Sequence, residues 1–138
     1  MSTGPQTEPV VRHRDERGDL VKIWPRAVAG EVYAVELRPG APRGHHVHQR
    51  GGEWFMALVG RVVLVVVDVE TGERWEHVLG PAPDGEHRVR VEPNQAHALW
   101  AVGEGPAWVV AIADFGYEDE VTVPHLVEAP GHLFAAQP

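Results

Sequence analysis

From Val10 onward, short apolar segments alternate with turn-forming residues along most of the chain. Runs of this kind, bounded by Gly, Pro, Asn and Asp, predict strands rather than helices. The predicted strands are Leu20–Trp24, Glu31–Leu37, His45–His48, Glu53–Val59, Val62–Asp68, Arg74–Leu79, Arg88–Val91, His97–Val102 and Trp108–Ala113. Between them lie Arg17-Gly18-Asp19, Arg38-Pro39-Gly40, Gly51-Gly52, Gly60, Glu70-Thr71-Gly72, Pro81 to Gly85, Pro93-Asn94 and Gly103 to Pro106. No stretch sustains a helical period, and no repeat stands out. An all-β sandwich or barrel is expected.

The run Val62 to Val67 is apolar on both faces, and 108–113 resembles it. A strand reads that way when both sides are buried, for instance between a barrel core and a partner subunit. A homodimer is the expectation, since a short chain gains from the extra burial. Residues 1–9 read as a loose polar tail, 10–125 as the barrel and 126–138 as an extension over the surface or a neighbour. Alternation sets Trp54 on the face opposite Glu53, in core or dimer packing.

Composition narrows the class. At 138 residues and 43% hydrophobic, the chain can bury one domain core. Its 15 glycines and 12 prolines leave little room for long helices. A formal charge of -8 offers no basic face for nucleic acid. Cysteine is absent, which excludes disulfides and thiolate metal sites. No apolar run reaches membrane-spanning length and no signal segment is visible, so a cytoplasmic protein is expected. The acidic stretch 117–120 reads as a solvated loop.

Nine histidines is a high count. His13, His77, His87, His125 and His132 lie in polar or breaker-rich contexts and are expected at the surface. His46 and His48 are two apart on a predicted strand, so both point to one face. Glu53 opens the next strand after Gly51-Gly52, which in an antiparallel pair sets its carboxylate opposite the two imidazoles. His97 follows Pro93-Asn94-Gln95-Ala96 on a later strand. Three imidazoles and a carboxylate on an interior face are a ligand set for a divalent metal. A solvated strand face, or a metal-free acid–base pair, are the other readings of these residues.

Gly40, His46, His48, Glu53 and Gly60 match the first cupin motif, G-x5-H-x-H-x4-E-x6-G, at every position. Pro93 to His97 resembles the second motif, with Asn94 where glycine is usual. Asn tolerates the left-handed backbone best among the alternatives. The resemblance implies a double-stranded β-helix, or jelly-roll, barrel holding one divalent ion on His46, His48, Glu53 and His97. Zinc is the first expectation for that ion, ahead of nickel, iron or manganese.

The flanks Asp15 to Leu20 and Pro42 to His48 resemble the nucleotide-sugar branch of the cupins. That branch contains dTDP-4-dehydrorhamnose 3,5-epimerases and dTDP-4-keto-6-deoxyhexose 3,4-ketoisomerases. Arg43-Gly44-x-His46-x-His48 is similar to the ketoisomerase pattern. Residues 68–97 look more like the metal-binding cupin domain of capsular polysaccharide epimerases. Val47-His48 replaces the aromatic-Gln of the rhamnose-type epimerases, and their lysine has no counterpart near Glu53, which weighs against straight 3,5-epimerisation.

The implied reaction is isomerisation or epimerisation of a nucleotide-linked 4-keto-6-deoxy sugar. A base removes a proton next to the ketone and a proton returns elsewhere. Arg43 is the candidate for the oxyanion or the nucleotide phosphates, and His45, Tyr33 and Tyr117 are candidates for proton transfer. An Fe-dependent dioxygenase, a Zn-dependent cyclase of natural-product biosynthesis and a non-catalytic sugar-binding cupin are the competing readings.

Overall fold

The structure, a computed structural model, describes residues 4–131. Its strands are β1 (Thr7–Asp15), β2 (Gly18–Lys22), β3 (Val32–Leu37), β4 (Arg43–His48), β5 (Glu53–Val59) and β6 (Arg61–Asp68). They continue as β7 (Arg74–Leu79), β8 (Glu86–Val91), β9 (Gln95–Val102), β10 (Ala107–Ala113) and β11 (Thr122–Pro124). One 3-10 turn, Tyr117–Asp119, precedes β11. Two antiparallel sheets form, in the orders β2-β1-β8-β5-β10-β3 and β11-β4-β9-β6-β7. The chain crosses between sheets at most connections from β3 onward. The product is the expected all-β jelly-roll barrel of cupin type.

Leu37, Phe55, Leu64, Leu79, Val89 and Leu99 fill the space between the sheets. Burying each such side chain contributes roughly 1.5–3 kcal/mol before entropy is counted. On β6, Val62, Leu64 and Val66 face this core, while Val63 and Val65 face outward, and all five are buried. The outer pair packs with Trp100 and with Val127, from the segment after β11. On β10, Val110 and Ile112 pack outside the barrel with Val10, Trp54 and Met56. The two-sided apolar pattern, read as a mark of a partner subunit, is thus accounted for within one chain. Trp54 lies on the outer face as expected, its ring 5.8 Å from that of Trp24.

The tail boundary needs correction. Thr7, Glu8 and Pro9 open β1 and pair with β8. Glu8 is gripped by Arg26 at 2.8 Å and Arg88 at 3.0 Å. Further along β1, Arg12 sits between Glu86 at 2.6 Å and Asp19 at 2.9 Å. Charges whose partners lie far off in sequence give this strand no apolar signature, and it was missed. His13, His87 and His125 are exposed as expected, but His77 is half-buried with its Nε2 out of contact with solvent. His132 and the rest of 132–138 lie outside the described residues. No described helix is long and apolar enough to cross a membrane.

Candidate metal centre and its cavity

Three strands bring four side chains together. Alternation along β4 turns both His46 and His48 into the barrel. The β4–β9 register sets His46 directly opposite His97. Their ring centroids lie 4.7 Å apart, as do those of His46 and His48. Glu53 arrives differently from expectation. β4 and β5 belong to opposite sheets and do not pair, so Gly51-Gly52 is a crossover and not a hairpin turn. The carboxylate reaches the imidazoles across the barrel interior. A Cβ on Gly52 would stand 2.8 Å from the Val91 carbonyl, so glycine is required where the chain enters β5.

One ligand atom from each of His46, His48, Glu53 and His97 lies within 4.8 Å of the others. Glu53, His48 and His97 are buried, and His46 is half-buried on the cavity side. His48 Nε2 and Glu53 Oε1 are 3.0 Å apart, yet neither makes a hydrogen bond of sound geometry. His97 Nε2 is 3.5 Å from the same carboxylate oxygen. An unpartnered buried carboxylate oxygen is costly, and a cation relieves that cost. Burial, and then the neighbouring His48, lowers the pKa of His46. Burial, followed by His46 and His48, lowers that of His97 well below the usual value. Both rings are therefore neutral at pH 7, the form that ligates a metal. Three imidazole nitrogens and one carboxylate fit a divalent ion of the zinc, nickel or iron type.

His46 and His97 of the cluster line a cavity of about 720 Å³, together with Tyr33, Arg38, Arg43 and Tyr117. The Tyr33 hydroxyl donates to Glu53 Oε2 at 2.9 Å and lies 3.1 Å from the Tyr117 hydroxyl. Burial first, then the Glu53 carboxylate, pushes both phenols above their ordinary pKa. Both remain protonated at neutral pH.

Arg43 and His46 are three apart, so a regular strand would aim them at opposite faces. A bulge between Gly44 and His46 inserts one extra residue against β9. Gly44 has φ 101° and His45 has φ 56°, both left-handed. A Cβ on Gly44 would lie 2.7 Å from the His97 carbonyl oxygen, so the bulge needs glycine there. The bulge restores Arg43 to the cavity, where it pairs across from Leu99. His45 lies on the face opposite His46, as alternation requires. Its Nδ1 accepts the Val127 N–H at 3.0 Å and its ring packs edge-on to Trp100 at 5.5 Å. The structure thus unites Arg43, Tyr33 and Tyr117 with the metal-ligand set and places His45 on the outer face, away from the cavity.

Sequence reasoning missed several participants. The 117–120 stretch is more than a solvated loop: Tyr117 lines the cavity, and Glu120 accepts the N–H groups of Arg50 at 2.9 Å and Gly51 at 2.6 Å. Phe115 lies 5.0 Å from the His48 ring, and the Thr122 hydroxyl is 3.0 Å from His48 Nδ1. These contacts span the chain from one strand edge to another, and no local pattern announces them. Arg38, at the end of β3, had a signal in Arg38-Pro39-Gly40 only as a turn.

Residues 13–122 match the family model described as the polysaccharide biosynthesis C-terminal domain. None of the curated proteins matches the sequence. Among solved structures, a dTDP sugar isomerase from Desulfovibrio desulfuricans G20 aligns with a TM-score of 0.81 and 22% identity, over 93% of this chain and 87% of that one. The sugar 3,4-ketoisomerase QdtA from Thermoanaerobacterium thermosaccharolyticum, in complex with TDP, aligns at 0.68 with 18% identity over 88% and 89%. The capsular polysaccharide assembling protein CapF from Staphylococcus aureus aligns at 0.63 with 20% identity, over 86% of this chain but 35% of its own. At these identities the likeness is one of fold.

Proposed function

The chain belongs to the polysaccharide biosynthesis C-terminal domain family, and from that premise we propose that it is a metal-binding isomerase or epimerase of a nucleotide-linked 4-keto-6-deoxy sugar. One observation carries the reading. The His46, His48, Glu53 and His97 cluster opens through His46 and His97 onto a cavity whose lining includes Tyr33, Tyr117 and two arginines. The fold neighbours named as a dTDP sugar isomerase and a 3,4-ketoisomerase in complex with TDP support the substrate class.

His46, His48, Glu53 and His97 would hold one divalent ion, zinc in the first place. Such an ion supplies a Lewis acid for the oxyanion that forms when a carbon next to the ketone loses its proton. Arg43 enters the cavity through the bulge and neutralises that oxyanion or the substrate diphosphate. Tyr117 is the proton-transfer group, in the cavity wall: its oxygen takes the proton from carbon as its own proton passes through the Tyr33 hydroxyl to Glu53 Oε2, and the reverse shift returns a proton to carbon. Tyr33 orients it and is itself fixed by Glu53. A homodimer and a cytoplasmic location belong to this reading. Trp108 and its cross-strand neighbour Val59 stay exposed and would be covered by a second copy.

Enolisation gives the test. In deuterated water, metal-loaded protein should bring deuterium into C3 or C5 of dTDP-4-keto-6-deoxyglucose faster than buffer does, followed by proton NMR. Absence of exchange across a panel of dTDP- and UDP-linked 4-keto sugars, with metal bound and the fold intact, overturns the sugar reading.

A further inference from the structure

Every imidazole that holds a metal has a second nitrogen, and what that nitrogen touches decides which one is free to ligate. For His48 the answer comes from a part of the chain remote from the motif. Strand β11 adds to the edge of β4, and its register sets Thr122 opposite His48. The Thr122 Oγ1 then lies 3.0 Å from His48 Nδ1, while His48 Nε2 lies on the cluster side, 3.0 Å from Glu53 Oε1. Thr122 therefore touches the ligating ring on the side away from the cluster. We propose that Thr122 is the positioning residue of the centre, accepting the Nδ1–H of His48 and so leaving the Nε2 lone pair to the metal.

The chemistry of the hydroxyl makes it suited to this. It accepts and donates, so it can hold the ring in the ion-free state and then accept once Nε2 is engaged. A backbone carbonyl in its place could only accept. Partners of this kind typically change metal affinity by about ten- to a hundredfold when removed. The contact also ties the short last strand, entered through the Glu120 clamp on Arg50 and Gly51, to the ligand set. The inference rests on the metal reading of the cluster and adds a residue that the motif spacing does not contain.

The test uses the full chain and three variants, with zinc affinity read by chelator competition. Thr122→Val keeps shape and strand preference but removes the hydroxyl, and Thr122→Ser restores it. Thr122→Val should bind zinc about ten- to a hundredfold more weakly than wild type, and Thr122→Ser within about threefold of it. His48→Ala gives the floor for loss of a ligand. Long-range 1H–15N spectra of the zinc-loaded wild type should show His48 protonated at Nδ1. A purely structural role for Thr122 predicts instead an affinity that follows thermal stability and a His48 tautomer unchanged by Thr122→Val. Wild type that binds zinc while Thr122→Val binds it equally well, or a loaded His48 protonated at Nε2, overturns the role of Thr122 alone. Wild type that binds no divalent ion overturns the metal reading and this inference with it.

Discussion

The two faces of β4 carry the same residue type to opposite ends. His46 and His48 face the barrel interior, meet Glu53 and His97, and form a cluster with unsatisfied donor atoms. His45, between Gly44 and His46, faces outward, accepts a backbone N–H from Val127 and rests against Trp100. Its own carbonyl also accepts the His125 N–H at 2.7 Å. One face leaves polar atoms without partners in a dry place; the other leaves none of its histidine's ring nitrogen facing the cluster. Chemistry follows from incomplete satisfaction at the end of a cavity, whereas a ring nitrogen engaged by the C-terminal segment marks a structural histidine. Alternation divides the two roles, and the bulge at Gly44-His45 adds Arg43 to the inner side.

The sharpest way to break this division is to remove the inner-face proton donor. Tyr117→Phe should slow deuterium exchange into the 4-keto sugar by about a hundred- to ten-thousandfold while metal content stays at the wild-type level. Undiminished exchange would transfer the role to another cavity group. Next in size is Arg43→Ala, where loss of one oxyanion donor should slow the same exchange by roughly ten- to a thousandfold. An effect confined to substrate KM would assign Arg43 to the phosphates instead.

How much of this contrast was legible follows from the range of each interaction. The pairing of His46 with His48 follows from strand alternation and the convergence of Glu53 and His97 from motif spacing, though the hairpin expected to carry Glu53 is a crossover between sheets, and the jelly roll follows from short strands broken by turns. The bulge was not legible: nothing in Arg43-Gly44-His45 fixes which residue is extra, yet that choice puts Arg43 inside, whereas alternation alone sets His45 on the face opposite His46. Thr122 and Glu120 were not legible either, because their partners lie 74 and about 70 residues away and meet only once β11 adds to β4. β1 hid for a third reason, its charges being neutralised by Glu86, Arg26 and Arg88 from elsewhere in the fold.

On the outer face, His45→Ala should leave metal content and exchange untouched. It removes the acceptor of a buried N–H, which costs about 1–3 kcal/mol, and the edge contact with Trp100. Urea denaturation of the metal-loaded protein measures this, and a loss of metal without a loss of stability would place His45 with the inner group.

A smaller effect separates the faces by pH. His46 and His97 have folded pKa values below their unfolded value of 6.5, mainly through burial. Below pH 6.5 the unfolded chain then binds more protons than the folded one, so ion-free protein loses stability as pH falls through that value. Urea midpoints in the presence of chelator should decline from pH 7 to 5, and His97→Gln should flatten that decline. The same slope in wild type and variant would remove His97 as its source.

Metal stoichiometry addresses the central claim, that the inner face of β4 with Glu53 and His97 is a metal centre. Native mass spectrometry of wild type after exposure to zinc and desalting should show one ion per chain, and the His48→Ala/His97→Ala double variant, still folded by circular dichroism, should show none. A wild type without bound metal, or a double variant that keeps its full complement, would contradict the account.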